Sequence, residues 1–432
     1  MIRNARQLTD SPCNKKKFLR SQRKLLSRLL LAENYWKSSV NGILFHEFAD
    51  PMLVNVFIQN LEWSSHSKRI KGQVIYRRKP LTVAPSSIFI PPMRRPRFKA
   101  PPEHPLAYYH CISRVVDRQF VFGPEEKEQF IEFMRLYERF CGVRVVTYCV
   151  MSNHFHVLVE VPQRPAELPD DATLLALLTE VYGEGGGAGT IRQRLEYFRA
   201  EGAQAEAEAL RESFFARMWD VSAFMKLLKQ RFTQWFNRTH RRKGTLWEER
   251  FKSVLVEGAG NALATMAAYI DLNPVRAGIV GDPKDYRWCG YAAAVAGVKA
   301  ARTGLGIVAG AVRGAAVAAE AILPEYRLQL FGRGEEAGLD EAGRPLRRGF
   351  KAEEVDAVLA AKGRLDHWQM LRCRVRYFAD GLALGTKTFV NEVFTARREH
   401  FGPKRTSGAR ALRGVEANGL CALRDLRVRA VG

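Results

Sequence analysis

Two histidines flank one phenylalanine in the run Val150-Met151-Ser152-Asn153-His154-Phe155-His156-Val157-Leu158-Val159-Glu160-Val161. The run is apolar enough for a buried strand, and side chains alternate faces along a strand. His154 and His156 therefore share one face, and Phe155 takes the other. Two imidazoles at adjacent same-face positions can bind one divalent cation. The chain has 432 residues and a formal net charge of +23, a balance that points to a polyanion, most often nucleic acid. A basic protein with such a pair suggests metal-assisted chemistry on a phosphate. Strand histidine pairs are more often plain surface or hydrogen-bonded residues, so the reading needs further residues.

Tyr269 and Asn273 supply them, in Ala267-Ala268-Tyr269-Ile270-Asp271-Leu272-Asn273-Pro274-Val275-Arg276-Ala277-Gly278. Four residues apart on a helix, they share a face. A tyrosine hydroxyl can act as a nucleophile and form a covalent intermediate. The Asn273 carbonyl oxygen is a hard donor suited to Mg²⁺ or Mn²⁺. The plain alternatives are a half-buried core tyrosine and a helix-terminal asparagine before proline. A second stretch, Gly244-Thr245-Leu246-Trp247-Glu248-Glu249-Arg250-Phe251-Lys252-Ser253, interleaves aromatics with cations. Read as a strand, it sets Trp247 and Phe251 on one face and Arg250 and Lys252 on the other. That pattern suits single-stranded nucleic acid, where bases stack and phosphates meet charges. An amphipathic strand with a solvated basic edge fits equally well.

The elements that must position these residues follow from the surrounding pattern. A hydrophobic fraction of 47% supports real cores, and the length allows two or three domains. The seven cysteines form no C-x-x-C pair, so a disulfide framework is not expected and a reducing cytoplasm fits. The Ala/Gly-rich stretch 304–323 is interrupted by Arg313 and Glu320 and reads as a helical segment rather than a membrane span. No membrane partner is expected. Residues 1–92 are basic and poorly periodic, and read either as an upstream extension before Met93 or as a basic arm touching DNA. From residue 106 the order is strand, helix, strand, strand, helix, strand, helix. Pro124 and two glutamates mark the first helix start. The strand at 246–257 follows a basic turn holding Lys243, and the last helix must end near Asn273-Pro274. This order predicts an α+β fold of ferredoxin-like type, an antiparallel sheet with helices on one face. Its domain runs over 93–295, with an insertion at 163–215. Residues 296–349 read as a Gly/Ala-rich connector. Residues 350–432 read as a helical region, with 381–394 resembling the turn of a helix-turn-helix.

With these residues in hand, the chain resembles the single-tyrosine HUH transposases, in their REP-associated, insertion-sequence-200-like branch. The run from Met151 to Val159 looks like the His-hydrophobic-His motif. The blocks Leu246-Trp247-Glu248-Glu249-Arg250-Phe251-Lys252-Ser253 and Tyr269-Ile270-Asp271-Leu272-Asn273-Pro274-Val275-Arg276-Ala277-Gly278 are similar to two further family blocks. Asp285-Tyr286-Arg287-Trp288-Cys289-Gly290-Tyr291 looks like the block after them. The resemblance implies an HUH endonuclease core, with His154 and His156 as ligands of a divalent metal, Mg²⁺ or Mn²⁺. It implies Tyr269 as the nucleophile that forms a 5′-phosphotyrosyl link on single-stranded DNA near hairpins. Asn273 would be a third ligand, where relatives often carry Gln or Glu. Lys243, Trp247, Arg250, Lys252 and Arg276 are the expected DNA contacts. The insertion leaves monomer or homodimer open. Alternatives of other classes are a catalytically silent DNA-binding regulator of the same fold, an RNA-binding module, and a metal hydrolase that uses water alone.

Overall fold

The computed structural model of the chain describes residues 68–70, 73–75, 97–331, 367–415 and 417–424. The chain divides into two units, Met1–Pro92 and Met93–Gly432. In the first, β1 (Lys68–Ile70) pairs antiparallel with β2 (Gln73–Ile75). Met93 and the rest of 1–92 lie outside the described residues, as do residues 332–366 of the expected connector and C-terminal region.

The second unit starts with β3 (Leu106–Arg114) and α1 (Pro124–Phe140). Pro124 opens α1 with Glu125 and Glu126 in its first turn, where the helix dipole favours acids. The hairpin of β4 (Arg144–Val150) and β5 (His154–Pro162) follows. Next come α2 (Asp171–Tyr182), α3 (Gly189–Ala200) and α4 (Gln204–Phe215), within the stretch that looked like an insertion. Then α5 (Val221–Thr239) begins at Asp220, whose carboxylate accepts from the Ala223 amide. It leads to β6 (Lys252–Val256) and α6 (Asn261–Asp271). Pro274 lacks an amide donor, and the helix breaks at Leu272; α7 (Asn273–Arg276) is a separate turn. The described chain continues with α8 (Gly290–Val295), α9 (Lys299–Arg313), α10 (Ile322–Phe331), α11 (His367–Leu371) and α12 (Arg376–Asp380). It ends with β7 (Ala383–Gly385), α13 (Lys387–Ala396), β8 (Arg410–Ala411) and β9 (Cys421–Ala422).

One sheet runs in the order β4-β5-β3-β6-β7-β9-β8 and is antiparallel except at the β6–β7 pair. The protein is therefore an α+β fold with a largely antiparallel sheet and a C-terminal region rich in helix, as the element order implies. Register decides which side chains meet. Ile112 lies opposite His156 and Arg114 opposite His154, so these four share a face. Phe155 faces the other way and is fully buried. Its ring meets Phe130 of α1 at 4.5 Å and Trp247 at 5.5 Å, and Phe130 meets Phe232 of α5 at 5.3 Å. The expected one-sided helical layer is this one, α1 with α5. The histidine face carries a second layer of α6 and α9, because the apolar face of α6 also needs cover. α9 comes close enough to β4 that a Cβ on Gly304 would stand 2.1 Å from the Val146 carbonyl oxygen. The 304–323 stretch is thus partly an ordinary packed helix. No helix among the described residues is long and apolar enough to cross a membrane.

Two local expectations need correction. The strand at 246–257 is regular only from Lys252; before it, Trp247 makes a single bridge to Val115. Its indole turns into the α1/α5 layer and donates to Thr233 Oγ1 at 2.8 Å, which pulls the backbone off a regular ladder. The 381–394 stretch is not a helix-turn-helix. Ala383–Gly385 is a strand that pairs parallel with β6 and antiparallel with β9. Gly385 allows this, because a Cβ there would meet Phe389 and Glu257 at 2.6 and 2.8 Å.

Phe155→Ala should destabilise the protein by about 3–5 kcal/mol, the range for emptying a buried aromatic site. Chemical denaturation measures it; a loss under about 1 kcal/mol would mean the aromatic layer does not anchor β5.

Candidate active site

The histidine face of β5 meets the last turn of α6. The rings of His154 and His156 lie 5.2 Å apart between centroids. The Tyr269 ring lies 6.3 Å from that of His156. A third imidazole, His110 of β3, sits diagonally across the ladder from His156. The two rings stack at 5.1 Å with His110 Nε2 2.8 Å from His156 Nδ1. His110 is also 6.3 Å from the Tyr269 ring. Residues far apart in sequence thus converge on one face.

Tyr269 is enclosed, with 3% of its surface exposed. The Phe378 ring of α12 closes on it edge-to-face at 4.9 Å. From another side the Arg276 guanidinium lies 3.9 Å from the ring centroid. Arg276 also donates to the Tyr269 carbonyl at 2.7 Å and to the Leu371 carbonyl at 3.0 Å. It therefore ties the end of α6 to the C-terminal region, a role that its spacing does not reveal. Asn273 turns its amide nitrogen back to the Ile270 carbonyl at 3.1 Å.

Burial sets the charge state of the imidazoles. It lowers His110 to about 4, against a partial rise from the Phe378 carbonyl. His154 is also lowered to about 4, by burial first and then by Arg114, Arg276 and Arg374. His156 falls well below the ordinary range through burial and its two histidine neighbours. All three are neutral near pH 7, the form that can ligate a metal.

Beside the β3 end of this face opens a cavity of about 240 Å³, lined by Ile112, Arg114, Arg118, Arg250, Lys252 and Arg374, with Glu248, Glu249 and Asp380 among its acids. Arg250 and Lys252 thus stand where a phosphate could approach. Lys252 is paired with Asp380 at 2.8 Å. Lys243 is exposed in the turn after α5. Trp247 differs from the expectation: at 8% exposure its indole is mostly packed in the aromatic layer behind the sheet, which leaves little ring surface for base stacking. Phe251 is buried as well, beneath the Arg97 guanidinium at 3.3 Å.

The donor set suits a divalent cation at two neutral imidazoles. Among the described residues no cluster of three or more His, Cys, Asp or Glu is arranged to hold a metal. Further positions would fall to an amide, water or phosphate oxygen, as Mg²⁺ commonly uses.

Asp271, two residues beyond Tyr269, organises this corner and was not singled out by spacing. Fully buried, it accepts from Thr147 Oγ1 at 2.9 Å, from the Tyr326 hydroxyl at 2.6 Å and from the Tyr291 amide at 3.0 Å. One carboxylate thereby locks α6 to β4, α8 and α10. A lone acid in an otherwise apolar helix was the signal available for it.

Residues 104–167 match the IS200-like transposase family (Y1_Tnp), a segment that contains β3, α1 and the β4–β5 hairpin. No curated protein matches the chain. Among solved structures, the REP-associated tyrosine transposase bound to a REP hairpin is similar over 47% of this chain and 84% of that one, at 14% identity and a TM-score of 0.29. The class is thus given by the matched segment, which is of IS200-like transposase type. The match agrees, over that segment, with the resemblance noted from the motifs.

Burial pushes the Asp271 carboxyl up to about 6, above the unfolded value, so the folded state holds its proton longer. Stability from this group is greatest at low pH and falls as pH rises through about 4 to 6. Relative to Asp271→Asn, the wild type should therefore gain about 2 kcal/mol on acidification from pH 7.5 to 4.5. Thermal midpoints of both proteins at the two pH values test this. A pH-independent difference would refute the assigned shift.

Proposed function

We propose that the protein cleaves and rejoins single-stranded DNA near hairpins, with Tyr269 as nucleophile and a divalent cation, Mg²⁺ or Mn²⁺, on His154 and His156. The observation that carries the reading is the Tyr269 ring at 6.3 Å from His156, on the helix that roofs the histidine face. The Tyr269 oxygen attacks the scissile phosphorus, a P–O bond to tyrosine forms, and the bond to the 3′ oxygen breaks. The phenolic proton is released, the 3′ oxygen leaves as a hydroxyl, and the 5′ phosphate stays on tyrosine. Because the phosphodiester is conserved, attack by a 3′-OH reverses the step and needs no ATP. Phenols are mostly protonated near neutral pH, with an ordinary pKa of about 10, so this transfer needs help. When bound, the cation would polarise the phosphoryl oxygens and offset the charge that develops there.

The chain's own residues bind and orient. His154 and His156 would offer Nε2, and the Asn273 amide oxygen is the proposed third donor. Arg250 and Lys252 line the cavity where the backbone of the strand would lie. Lys243, exposed in the turn after α5, is a further proposed contact to the DNA backbone. Arg276 holds the tyrosine ring through its guanidinium, 3.9 Å from the ring centroid. Tyr269 is too enclosed to meet a phosphate as it stands, so strand binding must turn the Phe378 ring away from it, while the backbone of α12 stays in place. A monomer contains all of these groups in one chain.

That same enclosure favours a second reading, a DNA-binding regulator that keeps the fold without cutting. One experiment separates the two. Labelled single-stranded DNA from the flanks of the gene is incubated with the protein and Mn²⁺, then run on a denaturing gel. Cleavage with a protein–DNA adduct is expected. Tyr269→Phe should abolish the adduct and leave binding intact. Binding without any cut under Mn²⁺ or Mg²⁺ supports the regulator, and an adduct that survives Tyr269→Phe removes Tyr269 from its role.

A further inference from the structure

Two short hydrogen-bond relays approach the strand histidines from opposite sides. In the first, His110 Nδ1 lies 2.8 Å from the Phe378 carbonyl oxygen, and His110 Nε2 lies 2.8 Å from His156 Nδ1. In the second, Asn153 Nδ2 donates to the Arg118 carbonyl at 3.0 Å, and Asn153 Oδ1 lies 2.7 Å from His154 Nδ1. Each relay ends on a backbone carbonyl, and a carbonyl can only accept. That fact fixes every proton in both chains.

Phe378 accepts, so His110 Nδ1 carries a hydrogen. A neutral imidazole has one N–H, so His110 Nε2 is an acceptor. His156 Nδ1 must then donate to it, and His156 Nε2 is left with its lone pair. On the other side, the Arg118 carbonyl takes the Asn153 NH₂ group, so Asn153 presents its oxygen to His154. His154 Nδ1 must donate, and His154 Nε2 is left with its lone pair. Among the described residues neither Nε2 has a hydrogen-bond partner.

We propose that His110 and Asn153 are positioning residues that lock His156 and His154 in the Nδ1–H tautomer, so that both Nε2 lone pairs are held ready for one divalent cation. The cation itself rests on the reading above; the tautomers do not. The same accounting removes His110 from the ligand set, since both of its nitrogens are committed. It also gives the C-terminal region a chemical task. The Phe378 carbonyl on α12 orients a histidine of the central strand, which in turn orients a ligand. Outer partners of this kind typically change metal affinity by about 10–100-fold when removed.

The test uses the full chain labelled with ¹⁵N-histidine. Long-range ¹H–¹⁵N correlation spectra of the metal-free protein near pH 7 distinguish the two neutral tautomers directly, with single-histidine variants giving the assignments. Nδ1–H is expected at positions 110, 154 and 156; Nε2–H at 154 or 156 overturns the proposal. Mn²⁺ titration calorimetry supplies the second readout. His110→Phe should weaken Mn²⁺ binding by about 10–100-fold. His110→Gln should restore it, because the glutamine carbonyl oxygen can accept from His156 Nδ1 much as the ring nitrogen does. Equal affinity in wild type and a folded His110→Phe protein overturns the relay. If His110→Phe does not fold, the tautomer spectra and the glutamine variant still decide. Nδ1–H tautomers in a wild type that binds no Mn²⁺ would uphold the relay and remove the metal from the proposed function.

Discussion

Along β5 a phenylalanine is sealed into an aromatic layer, and the imidazoles on either side of it must therefore leave by the opposite face. The pleat allows no other outcome once Phe155 is packed between Phe130 and Trp247. A one-residue slip would bury two imidazoles among phenyl rings and bring Phe155 to the tyrosine helix. Apolar packing on one side of the sheet thus fixes polar geometry on the other. The energy that holds the histidines in place comes mainly from residues that never face the site.

Polar groups brought into such an interior have to be satisfied, and here the partners come from distant parts of the chain. His110 and His156 satisfy one another and end on Phe378; Asp271 gathers Thr147, Tyr291 and Tyr326. Buried networks of this kind are costly when one member is lost, because the remaining groups have no water to turn to. They tie the corner around Tyr269 to β3, β4, α8, α10 and α12. The enclosure by Phe378 and Arg276 belongs to the same economy, since an aromatic ring at the edge of a polar cluster is stabilised by being covered.

Much of this was readable in the sequence because it is local. Strand alternation assigned the faces of His154, Phe155 and His156. A proline with following acids marked α1, and Pro274 marked the end of α6. The family motifs named Tyr269. What spacing cannot carry is register between strands and packing between distant elements. His110 becomes a neighbour of His156 only through the β3–β5 ladder. Trp247 looked like a stacking platform because its neighbours are charged, yet the α1/α5 layer had room for an indole and a threonine hydroxyl to receive its N–H. Three residues, Ala383–Gly385, are too short to show an alternation, and their strand character depends on the exposed edge of β6. Asp271 was visible as an acid in an apolar helix, but its three partners were not.

The parallel pairing of β6 with β7 has a consequence in time. Parallel neighbours require a long connection, and here it contains the tyrosine helix and everything up to α12. During synthesis the ribosome releases the histidine strand and Tyr269 well before it releases Phe378. A nascent chain could form the hairpin and roof it with α6 while His110 still lacked its carbonyl and Tyr269 its lid. Maturation of this corner therefore waits until α12 has emerged, and a product truncated before Phe378 would carry the recognisable motifs on an unfinished scaffold.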